Sequence, residues 1–143
     1  MNFGLQMNQK IRFLFSRYPR AGLLADDEGV LFWNNTLVRA SLAIGLFFLL
    51  LTVIFSYLFV ARGTQDIIVL HYNAYFGVDI VGNPWQILLL SVGAGAFLLI
   101  NGMLARKLYG MHERVAAYIL LFSSIFASIS AFVAISALIF INS

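Results

Sequence analysis

Cysteine is absent, so the chain can form no disulfide, iron–sulfur cluster or thiolate-ligated metal site, and thiol usage carries no information on redox compartment. Charge is scarce, with nine Lys and Arg against six Asp and Glu in 143 residues. None of these, and neither of the two histidines, falls inside the three longest apolar runs. That removes the side chains that usually mark proton relays, ion paths and counter-ions within membrane spans, and it disfavours transport by one copy of the chain. The net charge of +3 is no more than membrane orientation accounts for, so nucleic acid is not an expected partner.

What the chain has in abundance is apolar surface. Hydrophobic residues make up 62% and the mean hydropathy is +0.91, above what a soluble domain carries. Three runs meet the spanning criterion of roughly 20 mostly apolar residues across about 30 Å of hydrocarbon. They are residues 40–61, "ASLAIGLFFLLLTVIFSYLFVA", 85–105, "WQILLLSVGAGAFLLINGMLA", and 115–141, "VAAYILLFSSIFASISAFVAISALIFI". The third is longer than a perpendicular crossing needs and is expected to tilt or protrude. A cleaved signal peptide is not expected, because a polar and basic lead precedes the first run. The whole of 1–143 reads as one membrane domain, since each helix alone satisfies only its own backbone and the helices must find one another.

Basic residues orient these spans. Lys10, Arg12, Arg17, Arg20 and Arg39 precede the first, and Arg106, Lys107 and Arg114 lie in the 106–114 turn between the second and third. Only Arg62 lies in the segment 62–84. Because Lys and Arg stay on the cytoplasmic side, the expected protein is a multi-pass membrane protein, N-terminus inside and C-terminus outside, with 62–84 extracytoplasmic.

The lead, residues 1–39, reads as a cytoplasmic basic amphipathic segment. Met7, Ile11, Leu14, Phe15 and Tyr18 recur at helical spacing with Lys10, Arg12 and Arg17 between them, the pattern of a helix lying in the membrane surface. It would attract anionic lipid or dock a cytoplasmic partner. Pro19 ends it, Asp26, Asp27, Glu28 and Gly29 read as a polar turn, and Trp33 marks the headgroup region. Asn35 is placed to cap the first spanning helix.

Each span carries small residues at helical steps: Ser41, Gly45, Thr52 and Ser56 on the first, Ser91, Gly95 and Gly102 on the second, and Ser123, Ala127 and Ala131 beside Ser124 and Ser128 on the third. Such stripes let helix backbones approach closely, either within a three-helix bundle or between copies. Asn101, the most polar residue inside a span, is expected to hydrogen-bond to a serine of the third.

The polar anomaly is "VLHYNAYFGVDIVGN", residues 69–83. "IIVLHYN" is β-branched and aromatic enough for a strand, a glycine follows in "AYFG", and "VDIVG" can return, which sketches a β-hairpin. A five-residue loop over 73–77 would pair Tyr72 with Val78 and set His71 opposite Asp79, Cβ atoms roughly 5 Å apart; a four-residue loop would oppose His71 to Ile80. A histidine beside a carboxylate can act as a general base or begin a metal site. The ligand count falls short, however, because zinc takes three or four protein ligands and His112 lies across the bilayer in the other turn. Asp66 is the remaining carboxylate nearby, Thr64 is the only nearby hydroxyl nucleophile, and no cofactor or metal is expected.

"LHYNAYFGVDIVGNPW" resembles a segment of uncharacterised small bacterial membrane proteins with an LHYN-x-YFG-x-D-x-x-G stretch between two spans. It is more distantly similar to the N-terminal domain of unknown function in the immunity-protein family for the sporulation-delay toxin, whose pattern runs Pro-x-His-x-Asn, then Gly, then Asp. His71, Asn73 and Asp79 take the matching positions, while Val69 stands where that family has proline and Gly77 comes one residue later. The resemblance implies an integral membrane protein concerned with toxin immunity or signal transduction, holding a cytoplasmic regulator at the membrane.

The expected protein is therefore an all-α integral membrane protein of three transmembrane helices, with an N-terminal amphipathic surface helix and a short extracytoplasmic β-hairpin between spans one and two. Its expected role is non-enzymatic: a binding, accessory, signalling or immunity module whose hairpin, centred on His71, Tyr72, Asn73, Tyr75, Gly77 and Asp79, contacts a partner protein. The alternative is a subunit of a homo-oligomeric channel or transporter. A membrane hydrolase using His71 and Asp79 ranks third.

Overall fold

The computed structural model describes residues 29, 31–63, 66–73 and 75–143, and the expected surface helix, with Pro19 and the acidic turn, lies outside the described residues. Three long helices, which we label α1 (Thr36–Arg62), α2 (Leu88–Gly110) and α3 (Arg114–Ile141), carry a two-stranded antiparallel hairpin, β1 (Ile68–Asn73) and β2 (Gly77–Gly82), between α1 and α2. All three helices are long and apolar enough to cross a membrane.

Local chemistry sets where each begins and ends. α1 starts at Thr36, ahead of the run at residue 40, because Asn35 Oδ1 accepts from the amides of Leu37 at 2.9 Å and Val38 at 3.4 Å, satisfying donors that have no partner within the helix. It stops at Arg62, where Gly63 takes the left-handed conformation (φ 54) and its amide closes on Val60 O. Pro84 opens a short 3-10 turn, Pro84–Ile87, so α2 proper begins at Leu88 and not at residue 85. At its far end α2 continues to Gly110, and the expected 106–114 turn shrinks to 111–113. Tyr109 explains the extension: its ring is buried against Phe32, with centroids 5.4 Å apart, and the helix must persist to put it there. The reversal is tight, with His112 at φ 64 and the Glu113 amide returning to Leu108 O.

α3 packs along both other helices, which touch each other over a shorter length. On α1 the buried line holds Ser41, Gly45, Thr52 and Ser56, the stripe expected from spacing, and extends one turn earlier to Val38. A Cβ at Gly45 would lie 3.0 Å from Leu98 Cδ1, so the glycine sets how closely α1 approaches α2. On α2 the inward line is Ser91, Ala94, Leu98, Asn101 and Ala105, and the expected stripe through Gly95 and Gly102 is corrected. Those glycines are only half-buried and flank α1, with Leu49 and Leu42 as their nearest side chains. On α3 the ridge of Ser124 and Ser128 is buried and Ala131 lies beside it, whereas Ser123 and Ala127 are half-buried.

Small polar side chains are enclosed within the bundle, and large apolar ones are displayed on its outside. Ser41, Thr52, Ser56, Ser91, Asn101, Ser124 and Ser128 are buried, while Leu46, Phe47, Leu50, Ile54, Leu99 and Phe126 are exposed. Hydrogen bonds cross the seams: Ser56 Oγ and Ser91 Oγ lie 2.9 Å apart between α1 and α2, and Asn101 Nδ2 donates to Ser123 Oγ at 3.1 Å between α2 and α3. Apolar packing gathers at the two ends. Phe32, Val38, Ala105, Tyr109, Ala117 and Leu121 close one; Ile68 of β1, Ile87 of the 3-10 turn and Ile135 of α3 close the other.

Candidate functional site: the hairpin

Asn73 ends β1 and pairs with Gly77, the first residue of β2, so the five-residue loop expected over 73–77 is corrected: both of its end residues belong to the strands. Two features close it. Asn73 Oδ1 accepts from the Tyr75 amide at 2.9 Å, an Asx-type contact, and Gly77 sits at φ 82, where a side chain would be strained.

Register decides the histidine's surroundings. Tyr72 faces Val78, as expected, and Val69 faces Val81, but His71 faces Ile80 and not Asp79. The ladder is irregular between Val69 and His71 and again between His71 and Tyr72. One extra residue on each strand, Leu70 on β1 and Asp79 on β2, accounts for this, and the two offsets cancel. Neither simple loop length captures that arrangement. Although displaced from the opposing position, the Asp79 carboxylate reaches His71, with Nδ1 and Oδ2 3.3 Å apart. With side chains 58% and 34% exposed, the pair is a solvated contact worth about 0.5 kcal/mol or less. It orders the hairpin surface more than it stabilises the fold.

The six candidate residues thus come together on one hairpin but play different parts. Asn73 and Gly77 build the turn, His71 and Asp79 touch, and Tyr72 and Tyr75 are displayed. Tyr75 is 94% exposed at the tip and the neighbouring Phe76, which sequence reasoning did not single out, is 84% exposed. Val78 and Ile80 add further exposed apolar surface along β2. Among the described residues no group of three or more His, Cys, Asp or Glu side chains gathers. Thr64 lies outside the described residues, and His112 sits at the opposite end of the bundle.

The root of the hairpin is built into the bundle. Ile68 is 1% exposed, packed with Ile87 and Ile135 and bordered by Phe59, Val60 and Leu138. Gly82 ends β2, and a Cβ there would require the ends of the Gln86 and Leu70 side chains to move aside. Gln86 Oε1 in turn accepts from the Asn83 amide at 3.1 Å, fixing the step from β2 into the 3-10 turn. Beneath the strands an apolar groove of about 440 Å³ runs between Leu70, Ile80 and Val81 above and Ile87, Leu90 and Leu138 below.

Sequence reasoning also missed Asn142. Its carboxamide bonds both backbone groups of Val69. No periodicity links two residues so far apart in the chain. The only available signal was a polar residue closing the apolar run of "LIFINS".

No family model, curated protein or solved structure matches this chain.

Proposed function

We propose that the protein is a non-enzymatic multi-pass protein of the bacterial inner membrane that works as a binding or accessory module, presenting the hairpin to a partner protein on the extracytoplasmic side. The observation that carries this reading is the hairpin itself, an almost fully exposed Tyr75–Phe76 tip on a root buried among all three helix ends. Large aromatic side chains displayed on a fixed support are what contact hot spots are made of, because little conformational freedom is lost when they bind. The membrane setting is supported by the distribution of side chains, hydroxyls inward and Leu and Phe outward, the reverse of a water-soluble bundle.

Orientation rests on charge. Arg39, Arg106, Lys107 and Arg114 fall at the end away from the hairpin, and only Arg62 falls at the hairpin end among the described basic residues. Within this reading, the resemblance of "LHYNAYFGVDIVGNPW" points to a role for the module in toxin immunity or signalling.

A photo-crosslinking side chain at position 75 tests the reading in intact cells. The expected outcome is a discrete adduct that disappears on Phe76→Asp. Labelling at position 75 with no adduct under any growth condition would overturn it.

One observation favours the alternative of a homo-oligomeric channel or transporter subunit. A groove of about 420 Å³ runs between α2 and α3, floored by small side chains at Gly93, Ala94, Ala127, Ala131 and Ala134. Small residues at such spacing admit another helix. Mass measurement in mild detergent separates the two, since a strict monomer removes the pore.

A further inference from the structure

A two-stranded hairpin is marginal by itself in water, so its orientation has to be imposed by something outside the two strands. Burial of Ile68 holds the root but is non-directional. The directional contact is an amide-for-amide pairing on the outer edge of β1. At the end of α3, Asn142 Oδ1 accepts from the Val69 amide at 2.8 Å, and Asn142 Nδ2 donates to Val69 O at 2.9 Å. The same Nδ2 donates to Leu138 O, one turn back on α3, at 2.8 Å, so the carboxamide is itself held by the helix that carries it.

A carboxamide has the donor and acceptor of a peptide group, so Asn142 occupies the position a further strand would take beside Val69. On β2, by contrast, Val78, Asp79, Ile80 and Val81 are all exposed. Leverage makes the tie consequential. From Val69 to the tip is about 15 Å at about 3.3 Å per residue, so a tilt of about 20° at Val69 carries the tip about 5 Å.

We propose that Asn142 is the positioning residue of the hairpin: it fixes β1 on the end of α3 and sets the direction in which Tyr75 and Phe76 are presented. The proposal rests on the reading of the hairpin as a partner-binding element, and makes α3 the helix whose movement the hairpin follows.

The full chain in phosphatidylethanolamine and phosphatidylglycerol vesicles provides the test, with Asn142→Leu, which removes both bonds to Val69, and Asn142→Asp, which keeps the acceptor and removes the donor. In Asn142→Leu, exchange of the Val69 amide is expected to quicken about tenfold while exchange along α2 stays unchanged. Because the chain has no native cysteine, Tyr75→Cys with Leu99→Cys takes spin labels at two sites only. Their distance distribution is expected to be narrow in the parent and broad in both Asn142 variants. Should Asn142→Leu also lose protection along α2, the isosteric Asn142→Asp decides. Unchanged Val69 exchange and an unchanged distance distribution would overturn the role of Asn142. That result, with crosslinking from position 75 retained, leaves the partner reading standing; a broadened distribution without any crosslink sinks the partner reading and leaves Asn142 in place.

Discussion

Asn35 uses all four of its hydrogen-bonding positions at once. Its oxygen accepts from the Leu37 and Val38 amides, and its Nδ2 donates to Tyr109 Oη at 3.2 Å and Tyr118 Oη at 2.8 Å. One side chain therefore starts α1 and ties it to the ends of α2 and α3, beside a Tyr109 ring that also receives the Arg114 guanidinium at 5.3 Å. Asn35→Ala removes the cap together with both tyrosine bonds and is expected to cost about 2 kcal/mol, whereas Asn35→Ser keeps the cap and costs about half as much. Reversible unfolding in mixed micelles measures the difference. Ser128 presents the opposite case. Its Oγ is buried with no partner among the described residues, while Ser124 and Ser136 donate to carbonyls of the preceding turn. Ser128→Ala is expected to leave stability unchanged or raise it by up to about 1 kcal/mol in the same assay, because an unpaired hydroxyl brings a desolvation cost and no bond.

At the scale of elements, glycine positions carry the sharpest expectations. Gly77→Ala forces an L side chain into φ 82 at the hairpin turn and is expected to cost about 1 kcal/mol locally. The change reads out as faster amide exchange at Tyr72 and Val78, with the helices unaffected. Gly45→Leu acts elsewhere. With Leu98 Cδ1 already 3.0 Å from the site of a Cβ, a long side chain there must part α1 from α2. Loss of the Ser56–Ser91 contact should follow, read as a longer distance between labels on the two helices. The elements also show how far spacing can be read. Four of the five inward residues of α1 were legible because their neighbours are large and apolar, so small residues stand out; Val38, itself apolar, does not. α2 holds four glycines and three alanines, so composition alone offers several candidate lines; the packing of Leu42 and Leu49 of α1 against Gly102 and Gly95 chooses among them.

For the whole molecule the consequence is a division of labour. Small side chains let the helices approach along their length, with Ser56–Ser91 and Asn101–Ser123 bonding across two seams, aromatic and β-branched clusters close the two ends, and the hairpin rides on one of those ends. Removing His71 should therefore leave the bundle intact: His71→Ala is expected to shift stability by about 0.5 kcal/mol or less, since the His71–Asp79 contact is solvated. Topology is tested on the same scale. A Tyr75→Cys chain is expected to react with a membrane-impermeant maleimide added outside intact cells, and a reporter fused after Ser143 is expected to be extracytoplasmic; protection of both would reverse the proposed orientation.

Composition and spacing alone determined three helices of spanning length, the cap at Asn35, the bond from Asn101 into α3 and a hairpin between the first two helices. Each depends on residues near one another in the chain, or on periodicity that repeats along one helix. The compensating irregularities at Leu70 and Asp79, the knot of Asn35 with Tyr109 and Tyr118, and the clasp of Asn142 on Val69 were decided only by tertiary structure. In the last two, part-buried polar groups distant in sequence pair with one another, as polar groups withdrawn from solvent require. Which partner is within reach depends on how the helices pack.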